Sequence, residues 1–214
     1  MFLNVATLVS KGYFLFTEYQ DSVFLNSARN SYLSHSIKIE EIQNESRPEY
    51  SALTMSVFDV DYGCICKLEA SVVKSVRCTS SLHRFAARQS TDFKYYVQRI
   101  IDGQNINVIG FDLSSFMYLS LVQVARQYSS LGVGSRLLRE LFRHAFVDKN
   151  LDHVVLAAVP TSYLNEEDDQ DFSIADMHKL WGFYKARFNA YHAFNKSDFY
   201  LKIDNYKKNK FCIH

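Results

Sequence analysis

The stretch FMYLSLVQVARQYSSLGVGSRLLRELFRHAF, Phe116 to Phe146, carries the clearest structural pattern of this chain. Its first part, Phe116 to Ala125, is strongly apolar, which is typical of a strand inside a sheet. Its last part, Ser135 to Phe146, repeats apolar residues at helical spacing and places charged residues opposite them. A glycine loop joins the two parts, so the stretch predicts a strand, a turn and an amphipathic helix. The apolar face of that helix comprises Leu137, Leu138, Leu141, Phe142 and Ala145.

A second apolar strand follows this helix. His153 to Val159 is apolar after its first residue, and Pro160 closes it. A strand, a helix and a strand in this order form a βαβ unit, which predicts a parallel pair joined by a right-handed crossover. The predicted fold class is therefore α/β, at least for this part of the chain.

Shorter elements surround this unit. Before it, the patterns predict two helices, over Asp21 to about His35 and over Phe93 to Ile101. They also predict three strands, over Leu53 to Val60, Gly63 to Val76 and Ile106 to Leu113. After it, they predict a helix and two short strands, over Ile174 to Phe188, Ala190 to Phe194 and Phe199 to Ile203. Asp171 or Ser173 is expected to cap the last helix.

Composition indicates a globular protein with a substantial core. Apolar residues make up 48% of the 214 residues, enough for one domain over the whole chain. The formal net charge of +1 supplies no overall attraction to nucleic acid or to an anionic membrane. No apolar run approaches the roughly 18 residues of a membrane span, and the first residues lack a basic leader. We therefore expect a cytoplasmic protein without a membrane partner.

The cysteines do not predict a disulfide framework. Four irregularly spaced cysteines are too few for one in a chain of this length, so reduced thiols are expected. Cys64, Cys66 and Cys78 could join His83 as four zinc ligands. Alternating thiols on a strand are the simpler interpretation, and no metal is expected.

The loop SSLGVGS, Ser129 to Ser135, predicts chemistry because of where it lies. A turn from a buried strand into a helix exposes unpaired backbone N–H groups, and the helix dipole favours an anion such as pyrophosphate. The dipole contributes only roughly 0.3–1 kcal/mol, so several hydrogen bonds must contribute, including those from serine hydroxyls. The loop is too short for a G-x-x-x-x-G-K-[ST] nucleotide site and lacks the third glycine of a dinucleotide site.

The segment Ser129 to Gly134 resembles the Q/R-x-x-G-x-G/A signature of the GCN5-related N-acetyltransferase superfamily, with Ser129 where Gln or Arg is usual. The phrase FYKARFNA, Phe183 to Ala190, resembles the second signature, F-Y-x-x-x-G-F, with Asn189 in place of glycine and a spacing that is one residue longer. The resemblance covers roughly Ile106 to Ile203. It divides the chain into a divergent half over 1–104, a coenzyme A-binding half over 105–204 and a basic tail over 205–214.

The resemblance implies a mixed, mostly antiparallel sheet flanked by helices, in which a splayed parallel strand pair forms the acyl-CoA cleft. It also implies acetyl-CoA as the acyl donor and direct attack by an amine in a ternary complex. Tyr184 matches the family's general acid, which protonates the departing thiolate. Arg136 lies beside the implied phosphates. The implied donor-binding residues are Val122, Gln123 and Val124 beside the thioester, and Ser129, Ser130, Leu131, Gly132, Val133, Gly134 and Ser135 at the pyrophosphate.

The general base and the amine acceptor stay open. Asp112, His153, His178 and a chain of water molecules are the alternatives for the base. The acceptor is a small molecule, a peptide or a protein lysine, and the acidic segment Asn165 to Asp171 would attract a cationic one. Val108 to Leu113 also resembles the branch that acetylates aminoacyl-tRNA, although the net charge argues against nucleic acid.

Two other functions are compatible with the same resemblance. The chain is either a catalyst or a non-catalytic binding protein with an acetyltransferase-like fold, which the Ser129 departure and the missing strand carboxylate would favour. The same loop would also hold longer acyl-CoA donors, with aromatic residues of the first half forming an acyl tunnel. A homodimer is a further alternative to a monomer.

Overall fold

The apolar patterns become strands and helices in a computed structural model that describes residues 14–24, 32–43, 49–74, 79–102, 115–161, 163–164, 173–194 and 199–204. The strands in these ranges are β1 Phe14–Phe24, β2 Tyr32–Gln43, β3 Tyr50–Asp59, β4 Gly63–Lys74, β5 Ser115–Val124, β6 His153–Ala157, β7 Tyr191–His192 and β8 Tyr200–Asp204. The helices are α1 Thr79–Gln89, α2 Thr91–Ile101, α3 Val133–Arg143 and α4 Ile174–Phe188. A 3₁₀ turn, Arg126–Tyr128, precedes α3, and a π-helical turn, His144–Asp148, follows it.

The strands form a mixed sheet in the order β1-β2-β3-β4-β5-β6-β8-β7. The pairs β1·β2, β2·β3, β6·β8 and β7·β8 are antiparallel. Strands β5 and β6 are parallel, from Phe116 opposite His153 to Leu119 opposite Leu156. Because α3 lies between them in the chain, the predicted βαβ unit is confirmed, and so is the mostly antiparallel sheet with flanking helices.

The chain divides into two compact units, and β4, β5 and α3 each contribute residues to both. The first unit comprises Met1–Ala70, Leu121–Leu141 and Thr161–Asp169, and the second comprises Ser71–Ser120, Phe142–Pro160 and Gln170–His214. Among the helices of the described ranges, none has the length and apolar character needed to cross a membrane.

The first unit has an aliphatic core. Alternate residues of β2 and β3 are buried because successive side chains of a strand point to opposite faces. The predicted apolar face of α3 is buried as well. The aliphatic side chains of this core, with Met55, are Ile37, Ile39, Leu53, Val57, Ile65, Leu68, Val133, Leu137, Leu138 and Leu141, and the rings of Tyr50 and Tyr128 are buried in the same unit.

The second unit has an aromatic core. Six rings from α2, β5, β8 and the residues after β7 are each at most 1% exposed: Phe93, Tyr96, Phe116, Tyr118, Phe194 and Tyr200. The rings of Phe93 and Tyr118 stack at 4.3 Å between centroids. The Tyr200 hydroxyl donates a hydrogen bond to the Asp92 carbonyl oxygen at 2.8 Å.

The prediction of a helix from Asp21 to His35 is wrong. Asp21 to Phe24 belongs to β1 and Tyr32 to His35 to β2, and Asp21 lies opposite His35 in an antiparallel pair. Cross-strand pairing decides the conformation of such a segment more strongly than a weak helical period. The remaining predicted elements in the described ranges are present, whereas the strand predicted over Ile106 to Leu113 lies outside them.

Helix α1 was not predicted, although Leu82, Phe85 and Ala86 form a buried stripe at helical spacing. These three residues span little more than one helical turn, so the periodic pattern is too short to predict a helix. A helix of this length depends on packing for much of its stability, which a local pattern does not report.

Both ends of α4 are capped. The Ser173 hydroxyl accepts a hydrogen bond from the Asp176 backbone N–H at 3.2 Å, and the Asp176 carboxylate accepts one from the Ser173 N–H at 3.3 Å, which completes a capping box. Asn189 ends the helix in the left-handed conformation, with a φ of 59°. Its N–H donates to the Lys185 carbonyl oxygen at 3.1 Å. The predicted replacement of glycine by Asn189 is therefore a C-terminal cap of the expected kind.

We expect Asn189→Ala to lower the free energy of unfolding by about 1 kcal/mol, because a Cβ disfavours the left-handed region and Asn is better tolerated there. Asn189→Gly is the matched control and should be neutral or stabilising. Urea unfolding followed by the fluorescence of Trp181, the single tryptophan, measures both variants. Equal stability of the alanine variant and the wild type would contradict the prediction.

Candidate active site

The loop after β5 reverses the chain by a series of short backbone hydrogen bonds. The N–H of Tyr128 donates to the Ala125 carbonyl oxygen at 2.9 Å, and that of Leu131 donates to Tyr128 at 3.2 Å. The Ala125 N–H donates to the Ile65 carbonyl oxygen at 2.9 Å, which attaches the start of the turn to β4. The loop is therefore held between a sheet strand and α3, all within the first unit.

The two loop glycines are needed for different reasons. Gly132 has a φ of 85°, a conformation that favours glycine, and a Cβ there would meet no atom within 4 Å. Gly134 has no such φ, but its Cβ would lie 3.1 Å from Cγ2 of Val124. The first glycine allows the turn, and the second allows α3 to pack closely on β5. Ser130 also adopts a left-handed conformation, with a φ of 67°.

The start of α3 presents backbone donors to solvent. The Arg136 N–H donates to the Gly132 carbonyl oxygen at 3.0 Å, the first bond of the helix. By helix geometry, the N–H groups of Gly132, Val133, Gly134 and Ser135 then have no intrahelical acceptor. The first turn has no acidic residue, and Ser130, Leu131 and Gly132 are exposed. An anion from solvent can therefore approach these donors without meeting a carboxylate of that turn.

Two of the predicted loop amides are already used by the loop itself. The Ser129 N–H donates to the Arg126 carbonyl oxygen at 3.1 Å, and the Leu131 N–H is engaged as described above. The Ser129 and Ser135 side chains are half-buried, whereas the Val133 side chain is buried. The Ser129 and Leu131 amides are thus engaged within the loop, whereas those of Gly132 to Ser135 have no acceptor within the helix.

The end of β5 lies beyond its pairing with β6. The last paired residue is Leu119, opposite Leu156; β6 ends at Ala157, while β5 continues to Val124. Val122, Gln123 and Val124 are half-buried. The Thr161 hydroxyl donates to the Val122 carbonyl oxygen at 2.9 Å, and the Leu164 N–H donates to that of Val124 at 3.2 Å. The chain itself supplies donors to these two carbonyls.

Tyr184 lies in the second unit, on the buried side of α4. Its ring is 5.3 Å from that of Phe183 and 6.3 Å from that of Phe188, between centroids. Burial raises the pKa of the Tyr184 phenol well above its ordinary value. The phenol therefore keeps its proton throughout the neutral range, as a core tyrosine does and as a general acid must.

The candidate bases lie in different surroundings. His153 begins β6 and is 1% exposed, with its ring stacked 5.5 Å from that of Phe116. His178 is exposed on α4, and its ring lies 4.9 Å from that of Trp181. Asp112 lies outside the described residues. These surroundings fit a structural role for His153. The identity of the general base stays a prediction.

The thiols of β4 are reduced. Cys64 and Cys66 are free cysteines, and the Cys64 thiol donates to the Cys66 carbonyl oxygen at 3.5 Å. Burial raises the pKa of the Cys66 thiol to about 12, so it stays protonated and unreactive at neutral pH. In the part of the chain that the structure describes, no three or more His, Cys, Asp or Glu residues form a group that could hold a metal. Cys78 lies outside that part.

Several contacts around the loop were not predicted from the sequence. The Arg126 guanidinium lies 4.9 Å from the centre of the Tyr163 ring, and the rings of Tyr62 and Tyr128 meet edge to face at 6.0 Å. Like the Thr161 hydrogen bond, these contacts join segments far apart in the chain. Most of the residues that make these contacts lie in loops or turns and have no periodic spacing, so the contacts are seen only in the folded structure.

The comparisons with known proteins found similar structures but no match by sequence. No family model matches the sequence, and no curated protein matches it. Nine solved chains match it in structure. One is arylalkylamine N-acetyltransferase 2 from Aedes aegypti, which is 9% identical, with a TM-score of 0.40 over 71% of this chain and 73% of that chain. That protein is an N-acetyltransferase by name.

Proposed function

We propose that this protein is an N-acetyltransferase that moves an acetyl group from acetyl-CoA to an amine acceptor, with both substrates bound together. The observation that carries the proposal is the turn from β5 into α3. There Gly132 begins the helix, and the N–H groups of Gly132 to Ser135 have no acceptor within the helix. A diphosphate is the anion that suits such a row of donors, and coenzyme A contains one.

The exposure of this loop supports its use as a diphosphate site. A Cβ at Gly132 would meet no atom within 4 Å, so there is space for a phosphate oxygen to approach the backbone. Ser130 and Ser135 add hydroxyl donors on either side of the glycines. In the proposal, Arg136 contributes a positive charge from the first turn of α3.

The chemical step needs no covalent intermediate with the protein. The neutral amine attacks the thioester carbonyl carbon, a C–N bond forms, and the C–S bond breaks. Backbone N–H groups among Val122, Gln123 and Val124 are the proposed donors to the carbonyl oxygen as its negative charge develops. The departing thiolate takes a proton from Tyr184, and the amine loses one to a base or to water.

The acceptor is proposed only as an amine. A primary alkylamine has a pKa near 10, so at neutral pH it must lose a proton before it attacks. An acidic segment follows Leu164 in the sequence and would favour a cationic acceptor over an anionic one. A panel of polyamines, arylalkylamines, aminoglycosides and lysine peptides, scored by the mass increase of one acetyl group, would identify the acceptor class.

The first test is a change of charge at the start of α3. We expect Ser135→Glu to weaken acetyl-CoA binding about 10-fold or more, because its carboxylate would lie among the donors of the diphosphate and repel it. The same carboxylate favours the helix dipole, so the fold should be kept. Isothermal titration calorimetry with acetyl-CoA measures the effect.

Ser80→Glu is the matched control, because it introduces the same charge at an exposed position in the first turn of another helix, α1. It should bind acetyl-CoA as the wild type does. If well-folded wild-type protein binds neither acetyl-CoA nor a longer acyl-CoA, the proposed function is wrong. Tighter binding of a longer acyl-CoA would leave the proposal of an acyltransferase standing, but with a longer acyl group as the transferred group.

A non-catalytic binding protein is the second candidate function. The observation that favours it is that the Val122 and Val124 carbonyls already accept hydrogen bonds from Thr161 and Leu164. If these contacts are permanent, the end of β5 is closed to a donor. Weak or absent binding of acetyl-CoA by well-folded protein, with no transfer to any amine, would support this candidate.

A further inference from the structure

We infer that Thr161, Tyr163 and Leu164 form a strap that must leave the end of β5 before an acyl donor can bind there. This inference rests on the proposed function and adds to it a conformational step. The strap follows β6 in the chain, and all of its described contacts to β5 and to the turn after it lie within the first unit.

Three contacts hold the strap in place. Thr161 and Leu164 donate hydrogen bonds to the carbonyl oxygens of Val122 and Val124, at 2.9 and 3.2 Å. The Tyr163 ring lies under the Arg126 guanidinium at 4.9 Å. The two hydrogen bonds run in the same order along both segments, one from a side-chain hydroxyl and one from a backbone N–H. The strap therefore occupies the edge of β5 that the pairing with β6 no longer covers.

The same carbonyls are the acceptors that a donor would require. The proposed function places the acyl donor beside Val122 to Val124, where the backbone is half-buried. The pantetheine arm next to the thioester carries two amide N–H groups, and in such an environment they need acceptors. While the strap is bound, its own hydroxyl and N–H hold these acceptors. Donor and strap are thus competitors for one strand edge.

The strap is built from contacts that can be exchanged. Thr161 is exposed, and its bond to β5 is made by a side-chain hydroxyl that water can replace. Tyr163 and Leu164 are only half-buried. Local opening of such a segment requires much less free energy than global unfolding. The apparent affinity for the donor is then the intrinsic affinity reduced by the fraction of molecules with an open strap.

Thr161→Val tests the competition, because it keeps the shape of the side chain and removes the hydrogen bond to Val122. We expect this variant to bind acetyl-CoA about 2- to 10-fold more tightly than the wild type. Tyr163→Leu removes the ring under Arg126 and should act in the same direction. Thr91→Val, at an exposed threonine of α2, is the matched control and should leave the affinity unchanged. Calorimetry with acetyl-CoA measures all four proteins.

Hydrogen exchange of the Leu164 amide reports the strap directly. NMR should show this amide protected in the free protein and less protected both in Thr161→Val and after coenzyme A is added. Unchanged or weaker donor binding by Thr161→Val, or a Leu164 amide that stays protected with coenzyme A bound, would overturn the strap and leave the proposed function standing. Absence of acyl-CoA binding in every variant would overturn both.

Discussion

Replacing Tyr184 by Phe should lower kcat for acetyl transfer about 100-fold or more, while the Kd for acetyl-CoA changes little. The expected loss follows from the role assigned to the phenol. A thiolate is a poor leaving group when nothing protonates it, and a well-placed general acid typically contributes 10²–10⁴-fold. Steady-state kinetics with a saturating amine, together with calorimetry, separates the chemical step from binding.

The pH dependence follows from the burial of Tyr184. Its pKa is raised, so the phenol is protonated both at neutral pH and at moderately alkaline pH. The wild-type rate should therefore not fall between about pH 8 and pH 10 through loss of that proton. A decrease in that range that is absent from Tyr184→Phe would contradict the predicted direction of the shift.

A change of leaving group separates catalysis by Tyr184 from a structural role. With p-nitrophenyl acetate, whose leaving group departs without a proton, Tyr184→Phe should lose much less activity than it does with acetyl-CoA. Tyr118→Phe is the matched control, because Tyr118 is another buried tyrosine of the second unit with no assigned role in the reaction. Equal losses with both donors would make Tyr184 a core residue only.

The elements nearest the loop could be predicted from the sequence because their patterns are local. The apolar face that runs from Leu137 along α3 to Ala145 in the π-helical turn after it repeats at helical spacing, and each of its five predicted residues is buried. The parallel pair follows from the order of strand, helix and strand, through a rule of chain connection. The left-handed Asn189 follows from its position just after an apolar helical stripe.

The rest of the fold depends on contacts between distant segments. The segment from Asp21 to His35 has a weak helical period, but pairing between β1 and β2 determines its conformation. The strap depends on Thr161 meeting Val122, which lies 39 residues earlier in the chain. Threonine in a loop has no distinguishing pattern, so the end of β5 could be predicted as part of the site, whereas the hydroxyl that occupies its Val122 carbonyl could not.

The burial of Tyr184 shows the same limit at a single residue. Its position on an apolar stripe predicts a core side chain, and its match to a family motif predicts an acid. Both are compatible with a phenol whose pKa burial has raised. Neither a periodic pattern nor a motif distinguishes a core tyrosine from a general acid. The kinetic comparison of two leaving groups does distinguish them.

Replacing Phe93 by Ala should destabilise the second unit by about 3–5 kcal/mol, the largest stability effect expected of a single core substitution here. Phe93 is fully buried on α2, where its ring stacks on Tyr118 at 4.3 Å and meets the edges of Phe85 and Phe116 at 6.2 Å. Alanine would remove these contacts and leave a cavity among rigid rings, which cannot collapse easily to fill it.

Trp181 makes the measurement of Phe93→Ala specific, because this single tryptophan belongs to the same unit as Phe93. Urea unfolding followed by its fluorescence should show a lower midpoint for Phe93→Ala and an intermediate one for Phe93→Leu. Tyr95→Ala, at a position on α2 that is 59% exposed, should shift the free energy of unfolding by no more than about 0.5 kcal/mol. If Phe93→Ala and Tyr95→Ala lose equal stability, the aromatic core does not hold α2 against β5.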